Sequence, residues 1–173
     1  VDTHADFVEA VCDQFPSDRV DARQSDMKDV VGPFDFIWSA GAVYFLGIGA
    51  ALTNWKAALS DNGAVAFSHP VYFTDAPSEA ARAFWEDEGL EIKTENGITA
   101  EIEAAGYRLL ATKPVSDAAW EAYYGPLEAR INHLATDADD HMRAAIDKTR
   151  SEIDGWRAFK SETGYLLCVA RPV

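Results

Sequence analysis

The 173-residue chain carries 29 acidic against 15 basic side chains, a net charge of −14, and 48% of its residues are hydrophobic. The length and apolar content predict one folded domain with its own core. The negative charge disfavours nucleic acid and anionic membrane surfaces as partners, because both are negatively charged. No stretch reaches the ~20 apolar residues that a membrane span needs.

The first part of the chain alternates helix and strand patterns. Val1-Asp2 precedes a helical stretch from Thr3 to Phe15, in which apolar residues recur at helical spacing until Pro16 ends it. A short strand-like run from Val20 to Ser25 leads into Asp26-Met27. The near-continuous apolar run from Phe34 to Trp38 is typical of a parallel strand that is buried on both faces.

The alternation continues with a second unit. A helix is predicted from Ile48 to Leu59, a turn at Asp61-Asn62-Gly63 and a buried strand from Ala64 to Ser68, which closes on His69-Pro70. Strands separated by helices predict a parallel sheet. Small or acidic residues at strand ends are how such sheets build a nucleotide pocket at their carboxyl edge.

The remainder of the chain departs from this alternation. Helical segments are predicted at residues 78–86 and 98–105, a strand at 107–112, and a final strand from Gly164 to Arg171. Between the last two strands, Ser116 begins a long helical region to about Lys160, with a break near 136–140. Two strands that flank a helical insert predict an antiparallel edge on a mixed sheet.

The cysteines and histidines show no metal-ligand spacing. Cys12 and Cys168 lie in apolar runs, which predicts buried free thiols and a reducing, cytoplasmic location. His4, His133 and His141 are scattered, so no metal site is expected.

Several segments together resemble a known family. They are 34–44 (Phe-Asp-Phe-Ile-Trp-Ser-Ala-Gly-Ala-Val-Tyr), Leu46-Gly47, Trp55, Leu59, Asn62-Gly63, the stretch from Ser68 to Trp85, Ala105-Gly106-Tyr107 and Gly164-Tyr165. The chain resembles class I S-adenosylmethionine-dependent methyltransferases, in the small-molecule branch near the ubiquinone and menaquinone biosynthesis type. The resemblance implies a three-layer, Rossmann-like α/β fold, S-adenosylmethionine as cofactor and a small-molecule acceptor.

The resemblance also implies a cofactor site. Asp2 would accept hydrogen bonds from the ribose hydroxyls, and Asp26 and Met27 would flank the adenine. The residues Trp38, Ser39, Ala40 and Gly41, together with Ala42, would line the cofactor beside its methyl group. The alternatives are a helix-cap or chain-start role for Asp2, a turn or cap role for Asp26 and a core position for Trp38.

The candidate catalytic residues are Tyr44, at the mouth between cofactor and acceptor, and His69, which follows a strand. His69 has a structural alternative, in which its ring binds the backbone. An acceptor pocket walled by aromatic residues is predicted from Tyr72, Trp120, Tyr123 and Tyr124, with a helical core stripe as the alternative. In this reading one domain spans 1–173, with a cofactor-binding core at 1–75, a helical lid or substrate wall at 116–160 and a final strand at 164–171.

Two departures from the family pattern stand out. The sequence lacks the first strand and the Gly-rich turn that would hold the methionine moiety, so we expect an N-terminally incomplete fold. By itself such a chain is expected to bind the cofactor poorly or not at all and to be inactive. The strands at Val20 and Phe34 should then close up, recruit another chain or flank a gap. Relatives often carry an acidic residue where this chain has Ala40.

Two other function classes remain open. One is a non-catalytic methyltransferase-like module that acts in dimerisation or partner binding, with a homodimer as one form. The other is a nicotinamide-dependent oxidoreductase, which requires that Gly47-Ile48-Gly49 bind a dinucleotide. Leu52 stands where that fingerprint needs Gly or Ala, so the segment is interpreted as the first turn of a packed helix.

Overall fold

The computed structural model describes residues 1–87 and 89–173, over which helices and strands alternate except that two helices follow one another directly before the last strand. The helices are α1 (Ala5–Gln14), α2 (Ile48–Lys56), α3 (Glu79–Asp87), α4 (Glu95–Ala104), α5 (Asp117–Leu134) and α6 (Asp140–Phe159). The strands are β1 (Phe34–Ser39), β2 (Leu59–Tyr72), β3 (Lys93–Thr94), β4 (Tyr107–Pro114) and β5 (Thr163–Pro172). Short 3₁₀ turns lie at Met27–Asp29 and Val43–Phe45. None of the described helices is long and apolar enough to cross a bilayer.

The strands form one mixed sheet in the order β1-β2-β5-β4, and β3 pairs with the last two residues of β2. β1 and β3 run parallel to β2, whereas β5 pairs antiparallel with both β2 and β4. Of the strands in the described residues, β5 alone therefore runs in the opposite direction. The predicted antiparallel edge is confirmed as the β5–β4 pair, with β5 lying inside the sheet.

Helices cover the two faces of the sheet because side chains alternate along each strand. On β5, Leu166 and Cys168 pack in one cluster with Ile48 of α2 and Ile98 of α4. The neighbouring Tyr165 points to the other face, where its ring meets aromatic rings of α3 and α5. The predicted three-layer arrangement is confirmed.

The helical region after Ser116 forms as predicted, as α5 and α6. The Ser116 side chain accepts a hydrogen bond from the Ala119 N–H and caps α5. The two helices have a core of their own, which is centred on Tyr124, Ile131, Ile153 and Trp156.

β2 corrects two sequence predictions. The strand extends to Tyr72, because both its edges are paired there, so His69 lies within the strand and not at its carboxyl end. Residues 61–63 belong to β2, at a register irregularity opposite the start of β1, and do not end a helix. α2 ends earlier, at Lys56.

The predicted strand from Val20 to Ser25 is wrong. Among the residues described, it makes one strand-like contact, a parallel bridge between Gln24 and Asp2. A 2.9 Å hydrogen bond from the Ser25 N–H to the Asp2 carbonyl holds this bridge. This segment and β1 flank a gap, one of the three predicted outcomes. The parallel pairing of β1 with β2 supports the fold itself.

β1 is not buried on both faces, contrary to the prediction. Phe34, Phe36 and Trp38 are 42%, 54% and 57% exposed, and all three side chains line the gap. In the described residues β1 pairs on one side only, and α1 buries none of its residues against a core. Because α1 packs against no core, the predicted burial of Cys12 is wrong. The predicted burial of Cys168 is confirmed.

Candidate functional site

The gap beside β1 is a cavity of about 770 Å³, which we call the edge cavity. Six of the predicted cofactor residues line it: Asp2, Met27, Trp38, Ser39, Ala40 and Ala42. They come from three separate segments, the chain start, the 3₁₀ turn and β1 with the residues after it. The fold therefore brings together residues that the sequence separates by up to 40 positions.

The two predicted acidic cofactor residues differ in their position. Asp2 lines the edge cavity, and its Oδ1 accepts a hydrogen bond from the His4 N–H at 2.8 Å. Asp26 lies outside the lining and caps the turn at Met27–Asp29, accepting from the Lys28 N–H at 3.0 Å. This backbone hydrogen bond and the adjacent Lys28 ammonium lower the pKa of the Asp26 carboxyl. The structure thus shows the capping role that was the alternative for Asp26.

A buried tryptophan positions Met27. The Trp55 indole N–H donates to the Met27 carbonyl at 2.7 Å, and Trp55 itself is 1% exposed on α2. The turn that carries Met27 is thereby fixed to the helix layer.

Trp38 is available for stacking, because it is not a core residue. Its ring packs on that of Phe36 at a centroid distance of 6.4 Å and an interplanar angle of 25°. The exposed face of an indole is a surface on which purine rings stack. With the Asp2 carboxylate, which can accept from ribose hydroxyls, the edge cavity suits the nucleoside part of S-adenosylmethionine.

The edge cavity adjoins a second and larger cavity at the end of β1. Ala40 lines both of them, and Gly41 lines only the second. The Gly41 N–H donates to the Ser68 hydroxyl of β2 at 2.8 Å, and Gly41 has a φ of 61°, which favours glycine. The turn that joins the two cavities is therefore fixed to the neighbouring strand.

The second cavity, which we call the aromatic cavity, has a volume of about 1020 Å³. Its rings come from the turn after β1, from α3, α5 and α6 and from β5: Tyr44, Phe45, Phe84, Trp85, Trp120, Tyr123, Tyr124, Trp156 and Tyr165. Trp120, Tyr123 and Tyr124 were predicted in this role, whereas Tyr72 lies outside the cavity.

The sequence analysis missed Glu152, Trp156 and Tyr165. Glu152 and Trp156 are four residues apart on α6 and therefore share one helix face, a signal that was present in the sequence. The Glu152 carboxylate accepts a hydrogen bond from the Tyr124 hydroxyl at 3.0 Å. Tyr165 lies on a strand whose pattern showed burial but not the face on which each side chain lies.

Tyr44 and His69 both line a third cavity of about 250 Å³, and Tyr44 also lines the aromatic cavity. His69 Nδ1 lies 2.6 Å from the Pro70 carbonyl oxygen. Because a carbonyl only accepts, Nδ1 carries the proton and Nε2 is the acceptor nitrogen. Burial lowers the pKa of His69 below its ordinary value of 6.5, since it disfavours the charged ring.

The Gly47 segment has the geometry of a packed helix start. Gly47 has a φ of 80° and precedes α2, in which Ile48, Ala51 and Leu52 are buried. The 3₁₀ turn at Val43–Phe45 separates it from β1, whereas a dinucleotide fingerprint follows its strand directly. This arrangement gives the oxidoreductase alternative no support. Within residues 1–87 and 89–173, no three His, Cys, Asp or Glu side chains cluster as metal ligands.

No protein-family model matches the chain, and no curated protein is similar to it at a significant level. Solved structures are similar in fold. A methyltransferase from Geobacter sulfurreducens in complex with S-adenosylhomocysteine has a TM-score of 0.73 at 17% identity, over 90% of this chain and 66% of that one. The E. coli protein YjhP has a TM-score of 0.79 at 16% identity, over 99% and 75%.

Phosphoethanolamine N-methyltransferase 2 from Haemonchus contortus, in complex with S-adenosylmethionine, has a TM-score of 0.64 at 13% identity, over 86% of this chain and 36% of that one. The chain thus spans about two thirds or less of the length of these two methyltransferases. The likeness establishes that this chain has the Rossmann-like fold of S-adenosylmethionine-dependent methyltransferases.

Proposed function

We propose that this protein transfers a methyl group from S-adenosylmethionine to a small-molecule acceptor. One observation carries the proposal: in a methyltransferase fold, the edge cavity and the aromatic cavity meet at Ala40, at the carboxyl end of β1. This is where open α/β sheets bind their ligands. Two cavities that share one wall suit a reaction between a cofactor and an acceptor.

On the cofactor side, Asp2 would hold the ribose, Trp38 and Met27 would contact the adenine, and Ser39 and Ala40 would allow close approach of the backbone. When bound, S-adenosylmethionine supplies an activated methyl group on a sulfonium. The protein then contributes mainly by alignment and by exclusion of water, which the aromatic walls provide.

Of the two candidate catalytic residues, Tyr44 is the one that lines the aromatic cavity. Burial raises the pKa of Tyr165, and its hydrogen bond with Tyr44 and the charge of Glu152 raise it further. Tyr165 therefore stays protonated as a hydrogen-bonding partner for Tyr44. His69 is neutral with Nε2 as acceptor, and would act as a base only on an acceptor that reaches the third cavity.

Three points about the setting of the reaction stay predictions. They are a reducing, cytoplasmic compartment, the absence of a nucleic-acid partner and the formation of a homodimer. The net charge of −14 supports the second. We propose that α5 and α6 form the substrate wall, since both line the aromatic cavity.

Calorimetric titration of the full-length protein with S-adenosylhomocysteine tests the proposal. We expect binding, no binding of NAD, and about tenfold weaker binding in Asp2→Asn, which loses a charge-assisted hydrogen bond. Asp6→Asn on exposed α1 is the matched control. Failure of the wild type to bind S-adenosylhomocysteine would overturn the proposal in favour of the non-catalytic module.

A further inference from the structure

The aromatic cavity has a composition that selects among acceptors. Trp120 lies in its wall, where it stacks on Tyr124 at 5.5 Å and on Trp156 at 5.3 Å and meets Tyr165 edge-on at 5.2 Å. Tyr124 and Trp156 are almost fully buried, whereas Trp120, Tyr123 and Tyr165 keep surface open to the cavity. Trp85 of α3 stacks on Tyr165 at 6.3 Å. Indole and phenol faces are electron-rich, so a group of such rings around one cavity attracts cations.

The cavity lining carries a negative charge, which adds to the negative partial charge of the ring faces. Glu152 is the one charged side chain among the described lining residues. Its carboxylate is oriented by the Tyr124 hydroxyl at 3.0 Å. Burial is the largest cause that raises the pKa of Tyr124, and the charge of Glu152 adds to it, so Tyr124 stays neutral. An anionic acceptor would find a carboxylate in this lining and no cation among the residues described.

Two cations of the α5–α6 region, Arg157 and Lys160, are already paired. Arg157 of α6 donates to the carboxylates of Glu121 and Glu128 on α5. Lys160 lies 5.5 Å from the Trp156 ring centroid, and its Nζ is 2.7 Å from Asp117. None of these five side chains lines the cavity, and their formal charges sum to −1. They therefore do not offset Glu152.

The cavity is also larger than a small ammonium group requires. Phe45, Leu90 and Val115 add apolar surface to the lining. A volume of about 1020 Å³ accommodates a drug-sized molecule. The acceptor that fits has an apolar body and one positively charged end.

We propose that the aromatic cavity binds the ammonium group of an alkylamine, with the partly exposed rings of Trp120, Tyr123 and Tyr165 contacting the cation and Glu152 balancing its charge. That this cavity is the acceptor site rests on the proposed function. The binding of an ammonium ion itself does not depend on methyl transfer. The acceptor class is therefore a molecule with a hydrophobic body and an ammonium group, and anionic acceptors are disfavoured. The ammonium group serves for recognition and is not the methylated atom, because a protonated nitrogen has no lone pair to form a bond to the methyl group.

The test is calorimetric titration of the protein, without cofactor, with choline and with its neutral carbon isostere 3,3-dimethylbutan-1-ol. The two probes have the same shape and differ in charge. We expect choline to bind about tenfold more tightly, since a desolvated cation–π contact contributes roughly that factor. Equal binding of the two probes, or binding of neither, would overturn the proposal.

Variants locate the site. Glu152→Gln and Trp120→Leu should each weaken choline binding about tenfold. Glu152→Gln should leave the affinity for the neutral isostere nearly unchanged, because the isostere carries no charge for Glu152 to balance. Glu103→Gln, an exposed change on α4, is the matched control for Glu152→Gln. If Trp120→Leu unfolds, which circular dichroism would show, Glu152→Gln alone decides. Unchanged choline affinity in Glu152→Gln contradicts the assignment.

This test separates the inference from the proposed function. Binding of choline without binding of S-adenosylhomocysteine would support an ammonium site and contradict methyl transfer. Binding of S-adenosylhomocysteine without discrimination between the two probes would support methyl transfer and contradict the amine class.

Discussion

The indole N–H of Trp85 donates to the hydroxyl of Thr163 at 2.6 Å, and that hydroxyl donates to the Val71 carbonyl at 2.7 Å. All three groups are buried. The chain of hydrogen bonds ties α3 to β5 and β2 next to the aromatic cavity. It satisfies polar groups that no water reaches, so its loss should be costly.

Replacement of Thr163 by Val tests this link, because Val has the same shape without the hydroxyl. We expect a loss of about 1–3 kcal/mol in the free energy of unfolding, since the Trp85 N–H loses its acceptor. Urea denaturation followed by circular dichroism measures it. Thr112→Val on β4, whose hydroxyl bonds Glu95 near the surface, is the matched control and should change stability by less.

Ser68 should matter for the junction between the two cavities. Ser68→Ala removes the acceptor of the Gly41 N–H, so we expect a stability loss of about 1 kcal/mol and weaker binding of S-adenosylhomocysteine. Denaturation and calorimetry measure the two effects. Ser60→Ala, on the same strand but bonded to Asp35, should leave cofactor binding unchanged. Wild-type affinity in Ser68→Ala would show that the turn keeps its position without this bond.

Replacement of Trp38 should weaken cofactor binding without a large loss of stability. Because the side chain is 57% exposed, Trp38→Ala should change the free energy of unfolding by about 0.5 kcal/mol or less. Binding of S-adenosylhomocysteine should weaken by about 1–3 kcal/mol through the lost stacking surface. Phe7→Ala, an equally exposed aromatic residue on α1, is the control for both measurements. A large loss of stability with intact binding would instead make Trp38 a structural residue.

His69 should make stability depend on pH. Its pKa in the folded state is lowered from 6.5, chiefly by burial, so the unfolded chain takes up the proton first as the pH falls. The stability that His69 contributes is therefore present above pH 6.5 and is lost as the pH falls through the lowered pKa of the folded state. The Pro70 carbonyl and Glu101 oppose this shift, while Lys93 adds to it.

The measurement is urea unfolding of the wild type and of His69→Asn at pH 7.5 and pH 5. Asn keeps a donor near the Pro70 carbonyl but does not titrate. We expect the stability advantage of the wild type to shrink at pH 5, and an NMR titration to place the imidazole pKa below 6.5. A constant difference between the two proteins would contradict a lowered pKa.

Local sequence patterns determined the type and order of most elements. The apolar runs of β1, β2, β4 and β5, the capping residue Ser116 and the break before α6 all follow from periodicity and turn chemistry, which are properties of neighbouring residues. The segment from Phe34 to Tyr44 also carried the densest part of the resemblance to methyltransferases.

Only the tertiary structure decided which of these residues share a cavity. The exposure of Trp38 depends on how many strands flank β1, and the meeting of Trp120 with Trp156 and Tyr165 depends on how α5 and α6 pack over β5. Neither fact is encoded in a local pattern, since each is set by contacts between distant segments. The pairing of Glu152 with Tyr124, on which the acceptor class rests, is of the same kind.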